Sequence, residues 1–120
     1  MNRWVLLEHK VCIYDSLNTH YDFLVESEKD CLTWKFSEIP SITKGFIRIV
    51  KQPNHRLVWL SRAEHKLSRD RGMVKRIDHG NYINILGKKD SQAITLRLDG
   101  QLLNGFFAIS GNICRLTKNN

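Results

Sequence analysis

The sequence predicts an all-β protein, a single compact antiparallel β-barrel, on three observations. Apolar residues alternate or fall in short runs along most of the chain, and no window of a dozen residues carries helical periodicity. Turn signals recur every 8–15 residues, as a sandwich or barrel requires. The breakers themselves ("ESEKD", "IPS", "QPN", "DHGN", "GKKDS", "DGQ") are rich in Gly, Pro, Asn and Asp, the residues that supply turn geometry.

The elements follow in order. Arg3–Ile13 opens with "RWVLLEHKVCI", and after a turn-like "YDSLNT" the run His20–Glu26 alternates cleanly, with Tyr21, Phe23 and Val25 on one face and His20, Asp22 and Glu26 on the other. Strands are then expected at Cys31–Phe36, Gly45–Lys51, His55–Leu60, Met73–Ile77, Asn81–Leu86, Ala93–Leu98, Leu103–Ser110 and Ile113–Thr117. Trp34 and Phe36 read as core residues. The charged stretch "SRAEHKLSRDRG", at 61–72, breaks the pattern and is expected to form a short helix or an irregular basic loop, while "DGQ" favours a tight hairpin. His65 and His79 fall in charged or turn segments and are expected to be exposed.

With 120 residues, 42% of them hydrophobic and 26% charged, the chain is expected to form one domain spanning 1–120, large enough to build a core without staples. Cys12, Cys31 and Cys114 are an odd number without a C-x-x-C pair and sit among apolar neighbours, so buried thiols in a reducing cell are expected, and neither a disulfide framework nor a cysteine zinc site. The amino terminus lacks the apolar run of a signal peptide and no stretch has the length of a membrane span, which places the chain in the cytoplasm with no membrane partner. A monomer is assumed. Nineteen Lys and Arg against twelve Asp and Glu leave a net charge of +7, which favours a polyanionic partner such as nucleic acid.

Positions i and i+2 of a strand share a face, so His20 and Asp22 project together and both could reach one cation. An imidazole nitrogen beside a carboxylate oxygen suits Mn, Fe or Zn better than Ca. His9, in the preceding strand, is the natural third donor. The plain alternative is a hydrogen-bonded surface pair.

Four blocks, "EHK…HYDFLVESEKDCLTWKFSEIPS", "PNHRLVW", "RGMVKRIDHGNY" and "ITLRLDGQLLNGFFAI", resemble in their order the 3′-phosphoesterase module of bacterial DNA ligase D, and together span nearly the whole chain. The most specific are "HYDF" with its following tryptophan and the terminal "RLDGQLLNGFFAI". The resemblance implies a compact barrel and a manganese-dependent activity (or one using another divalent transition metal such as Zn²⁺) that trims DNA or primer-template 3′ ends in end-joining repair. It implies His9, His20 and Asp22 as metal ligands and His55 as the catalytic, phosphate-contacting histidine. Arg48, Arg56, Arg62, Arg69 and Arg71 are the arginines nearest in sequence that could complete the phosphate charge. The ligase and polymerase modules are not in these 120 residues, so a separate DNA ligase or repair partner is expected.

The chain departs from the family pattern near the chemistry. The loop between His9 and His20 is longer, a glutamine position is Leu7, an arginine position is Leu24, a lysine position is Glu38, an acidic position is Pro53 and a tyrosine position is Trp59. Those changes make a non-catalytic, basic nucleic-acid-binding accessory module the alternative function. A protein-interaction role would use exposed aromatics such as Trp4 or Trp59.

Overall fold

A computed structural model describes residues 2–67, 72–88 and 92–118. Among the described residues nine antiparallel strands form one sheet: β1 (Arg3–Ile13), β2 (Ser16–Glu26), β3 (Cys31–Phe36), β4 (Phe46–His55), β5 (Glu64–Lys66), β6 (Met73–Leu86), β7 (Ala93–Asp99), β8 (Asn104–Ser110) and β9 (Ile113–Thr117). Their order is β1-β2-β3-β4-β9-β8-β7-β6-β5, and a further β1–β6 pairing closes the sheet most of the way into a ring. The expected all-β class is therefore observed. Among the described residues no helix is long and apolar enough to cross a membrane.

The ring encloses one large core that includes Trp4, Leu6, Phe23, Phe36, Leu96 and Phe107. Trp34, 3% exposed, and Phe36, fully buried, belong to it as expected, and Phe23 stacks on Phe36 and meets Phe107 edge-on. Trp4 is also fully buried, with its indole N–H donated to the Asn81 carbonyl, so it offers no exposed aromatic surface.

A second, smaller core lies on the outside of the ring, where Val5, Leu7, Leu24, Cys31, Leu60 and Val74 pack together. Its lid is the segment expected to be the strand His55–Leu60, which instead forms a 3-10 turn over Leu57–Leu60. Near-threefold periodicity in such a turn brings Leu57 and Leu60 to one side, where both reach the outer cluster; strand alternation would have sent them to opposite faces. The segment 61–67 that follows contains β5, a short strand on β6, rather than a helix or irregular loop, and residues 68–71 lie outside the described set.

Two expected breaks are absorbed into strands. β4 runs through Gln52, Pro53 and Asn54 to His55, and a register shift against β3 between Cys31 and Thr33 accommodates the proline. β6 runs through "DHGN", with its own irregularity against β1 between Leu6 and Leu7. Gly80 makes room there, since a Cβ would run into the Asp99 carboxylate and crowd the Trp4 indole. Asp78, 4% exposed, accepts the backbone N–H groups of His79, Gln101, Leu102 and Leu103 at 2.8–3.0 Å, so it organises the four-residue loop between Asp99 and Asn104. "DHGN" and "LDGQLL" therefore form one structural unit.

The β1–β2 hairpin is longer than its sequence implied. β2 begins at Ser16, and Tyr14 and Asp15 form a two-residue turn with positive φ at both positions (49° and 61°), the geometry that matches strand twist. The hairpin tip extends past the strands on either side, leaving Ile13, Tyr14 and Leu17 exposed. Cys12 is exposed as well, unlike Cys31 and Cys114, whose burial pushes the thiols up to about 11 and about 12.

Candidate metal centre

The ten residues between His9 and His20 divide into four cross-strand pairs, Lys10–Thr19 to Ile13–Ser16, and the two turn residues, so the histidines stand directly opposite each other. Directly opposed partners of an antiparallel pair project to the same face, so the two imidazoles share it. The longer loop thus lengthens the hairpin without displacing His9. Asp22, two residues after His20, projects to the same outer face, opposite Leu7.

His9 Nδ1 lies 3.2 Å from His20 Nε2, and His20 Nε2 lies 3.5 Å from Asp22 Oδ2. The rings meet edge-on, with centroids 4.6 Å apart and planes at 67°. One donor atom from each of the three residues lies within 4.8 Å of the others. Nitrogen and oxygen ligands about 2.0–2.2 Å from a common ion stand about 3.0–3.6 Å apart, so the two short spacings fit a shared divalent ion with little movement. Two imidazoles and a carboxylate are a donor set for Mn, Fe or Zn. Burial holds the His20 imidazolium below its ordinary range, Asp22 opposes that shift, and His9 and Lys35 reinforce it. The neutral ring that results is the form that ligates metal.

His55 joins the group from the far end of β4. With Leu7, His9, Asp22, Trp59, Leu67 and Val74 it lines one pocket of ≈ 90 Å³. Its Nδ1–H donates to the Pro53 carbonyl at 3.2 Å; since a carbonyl only accepts, the proton sits on Nδ1 and Nε2 is left for other partners. The wall opposite is apolar, made by the outer core and the 3-10 turn.

The arginines are not gathered in the same way. Arg48 is exposed on β4 between buried Ile47 and Ile49 and pairs with Ile113 of β9, and Arg56 is exposed just before the 3-10 turn; neither lines the pocket. Arg62 lies over the Trp59 ring, 4.7 Å from its centroid, while His65, half-buried rather than exposed, meets the same ring edge-on at 5.5 Å. Arg69 and Arg71 lie outside the described residues. His79 is exposed as expected.

Several departures from the resembled pattern have structural explanations. Leu24 is fully buried and Leu7 is 2% exposed, both in the outer core, so the face where the resemblance places an arginine is packed rather than open. Glu38 is exposed and paired with Lys44 at 3.3 Å. Glu26, on the same face as His20 and Asp22, is not part of the cluster: Arg3 donates to it through Nε, Nη2 and the backbone N–H at 2.9–3.2 Å and holds its carboxyl down at about 2. Sequence reasoning missed Lys35, the cross-strand partner of Asp22, and Leu67 and Val74 in the pocket wall. Only the strand registers and the lid position reveal them.

Fold and site together define a class, an all-β ring protein with a His–His–Asp cluster on its outer face. Compared with known proteins, the chain matches no protein-family model and no curated protein.

Proposed function

We propose that the protein is a metal-dependent phosphoesterase acting on nucleic-acid 3′ ends, with DNA or primer-template ends as substrate and manganese as the preferred ion. The observation that carries this reading is the shared pocket: His9 and Asp22, two members of the three-residue donor cluster, line it together with His55. The resemblance to the ligase D phosphoesterase module and the net charge of +7 agree with it.

His9, His20 and Asp22 would hold the ion. A bound divalent ion supplies Lewis acidity and offsets charge on the phosphate. Leu7, Val74 and Trp59 exclude water from one side of the pocket and so strengthen electrostatic contacts within it. His55, oriented by the Pro53 carbonyl, presents Nε2 toward a phosphate oxygen or the leaving group, where its protonated form donates. Purified protein with Mn²⁺ should release phosphate or a ribonucleoside from 3′-phosphate or 3′-ribonucleotide primers, and His20→Ala should not. No turnover on either substrate with Mn²⁺, Zn²⁺ or Co²⁺ refutes the reading.

Burial of Leu24 favours a second reading, a nucleic-acid-binding module without turnover on the same scaffold. It expects oligonucleotide affinity that falls steeply with salt and is indifferent to EDTA.

A further inference from the structure

We infer that Arg76 and His79 form a phosphodiester subsite for an internal phosphate of the strand whose 3′ end the histidine–aspartate cluster would receive; this rests on the esterase reading above. Two adjoining hollows, of ≈ 380 and ≈ 390 Å³, share these two residues on their walls. Neither hollow includes a residue of the metal cluster.

Arg76 stands on β6 opposite Leu7 and is half-buried. Its Nη1–H donates to the Leu60 carbonyl at 3.3 Å, and among the described residues it meets no carboxylate. A guanidinium pinned by one carbonyl keeps its other N–H donors for a planar, two-point contact, the geometry that suits a phosphate. His79 is exposed, and among the described residues its ring has no hydrogen-bond partner.

Most carboxylate oxygens near the same space are already committed. Asp78 accepts four backbone N–H groups, Asp99 accepts the Asn81 N–H at 2.8 Å, and Glu26 beside the first hollow is taken up by Arg3. Asp99 keeps its other oxygen at the second hollow, so the anion's place is the first, whose lining among the described residues holds Arg3, Arg76 and His79 and no carboxylate.

The placement selects a nucleic-acid strand over an isolated ion. Across the sheet, the pair His9–Val74 belongs to the cluster, Leu7–Arg76 comes next, and Val5–His79 follows. His9 and Val5 are four residues apart on one strand, about 13 Å at the usual rise. Among the described residues the 3-10 turn borders both spaces, with Trp59 on the cluster side and Leu60 on the hollow side. A strand with its terminal phosphate at the cluster would cross that turn and bring an internal phosphate to Arg76.

The test is fluorescence anisotropy of a 5′-fluorescein dodecanucleotide bearing a 3′-phosphate, titrated in EDTA from about 50 to 200 mM KCl. Arg76→Gln should weaken binding about tenfold and reduce the salt slope by about one charge, Arg76→Lys should keep the slope, and His79→Ala, at an exposed position, should weaken binding by a smaller factor. Equal affinity and slope for wild type and Arg76→Gln overturn the subsite. So does equal loss in Arg76→Gln and Arg76→Lys with unchanged slope, which would assign Arg76 to holding the 3-10 turn. Calorimetry with inorganic phosphate separates the two sources of the anion: an Arg76→Gln effect there, with oligonucleotide binding unaltered, also overturns the proposal. No step needs turnover, so failure of the esterase reading would show in the primer assay and failure of the subsite here.

Discussion

Along β1, Trp4 and Leu6 point into the ring while their neighbours Val5 and Leu7 point out of it, and all four are buried. The two faces differ in what covers them. The inner face is covered by the opposite side of the same sheet, with aromatic rings of Phe23, Phe36 and Phe107 interlocked across the ring. The outer face is covered by one 3-10 turn and by Leu67, and at the edge of that small lid the polar residues His9, His20 and Asp22 take over from the apolar ones. The inner core holds the fold together, and the outer core shapes the pocket at its margin.

Mutations should separate those two jobs. Phe107→Ala, deep in the inner core, should cost about 3–5 kcal/mol in urea denaturation and lower stability throughout the sheet. Leu24→Ala should cost about 2–4 kcal/mol, with hydrogen exchange quickening chiefly in residues 57–67; equal quickening in β7 and β8 would mean that the two cores are not separable. Mn²⁺ at a hundredfold excess over its dissociation constant should stabilise the fold by about 2.7 kcal/mol in thermal melts, and the effect should vanish in His20→Ala and on adding EDTA. An unchanged melting temperature across Mn²⁺ concentrations breaks the assignment of the outer margin to metal.

Acid offers a gentler probe of the outer face. Glu26 has its carboxyl lowered from an unfolded value of 4.5 to about 2 by Arg3, so its contribution is complete above about pH 4.5 and is lost as pH falls toward 2. Because the Arg3 side chain is 47% exposed, screening limits the contribution to about 1–2 kcal/mol. Arg3→Ala should flatten that part of the stability–pH curve. At the hairpin tip, Tyr14→Asn combined with Asp15→Gly should stabilise by about 0.5–1 kcal/mol, since both positions hold positive φ, while leaving primer processing and the salt slope unaltered.

Much of this was legible in the chain. Alternation in "HYDFLVE" placed Tyr21, Phe23 and Val25 inward and His20 and Asp22 outward, as the ring has them, because a period of two leaves a strand no other choice. "WVLL" was less informative: a strand buried on both faces carries no alternation, and only the lid explains why Val5 and Leu7 are as apolar as Trp4 and Leu6. The apparent turns "QPN" and "DHGN" were misread for a related reason. Pro53 sits beside a register shift and Gly80 makes room for Asp99 and Trp4, so tertiary contacts overrode local preference.

The sequence by itself determined the strand-rich class and the shared face of His20 and Asp22, since both follow from backbone periodicity, whereas the two-residue turn and strand register set His9 opposite His20. Tertiary structure decided the rest. It turned 57–60 into a lid, buried Leu24 in the outer core, and carried His55 from β4 and Arg76 from β6 to either side of that lid. These are contacts between residues distant in sequence, made where the ring closes and the chain folds back over its own outer face.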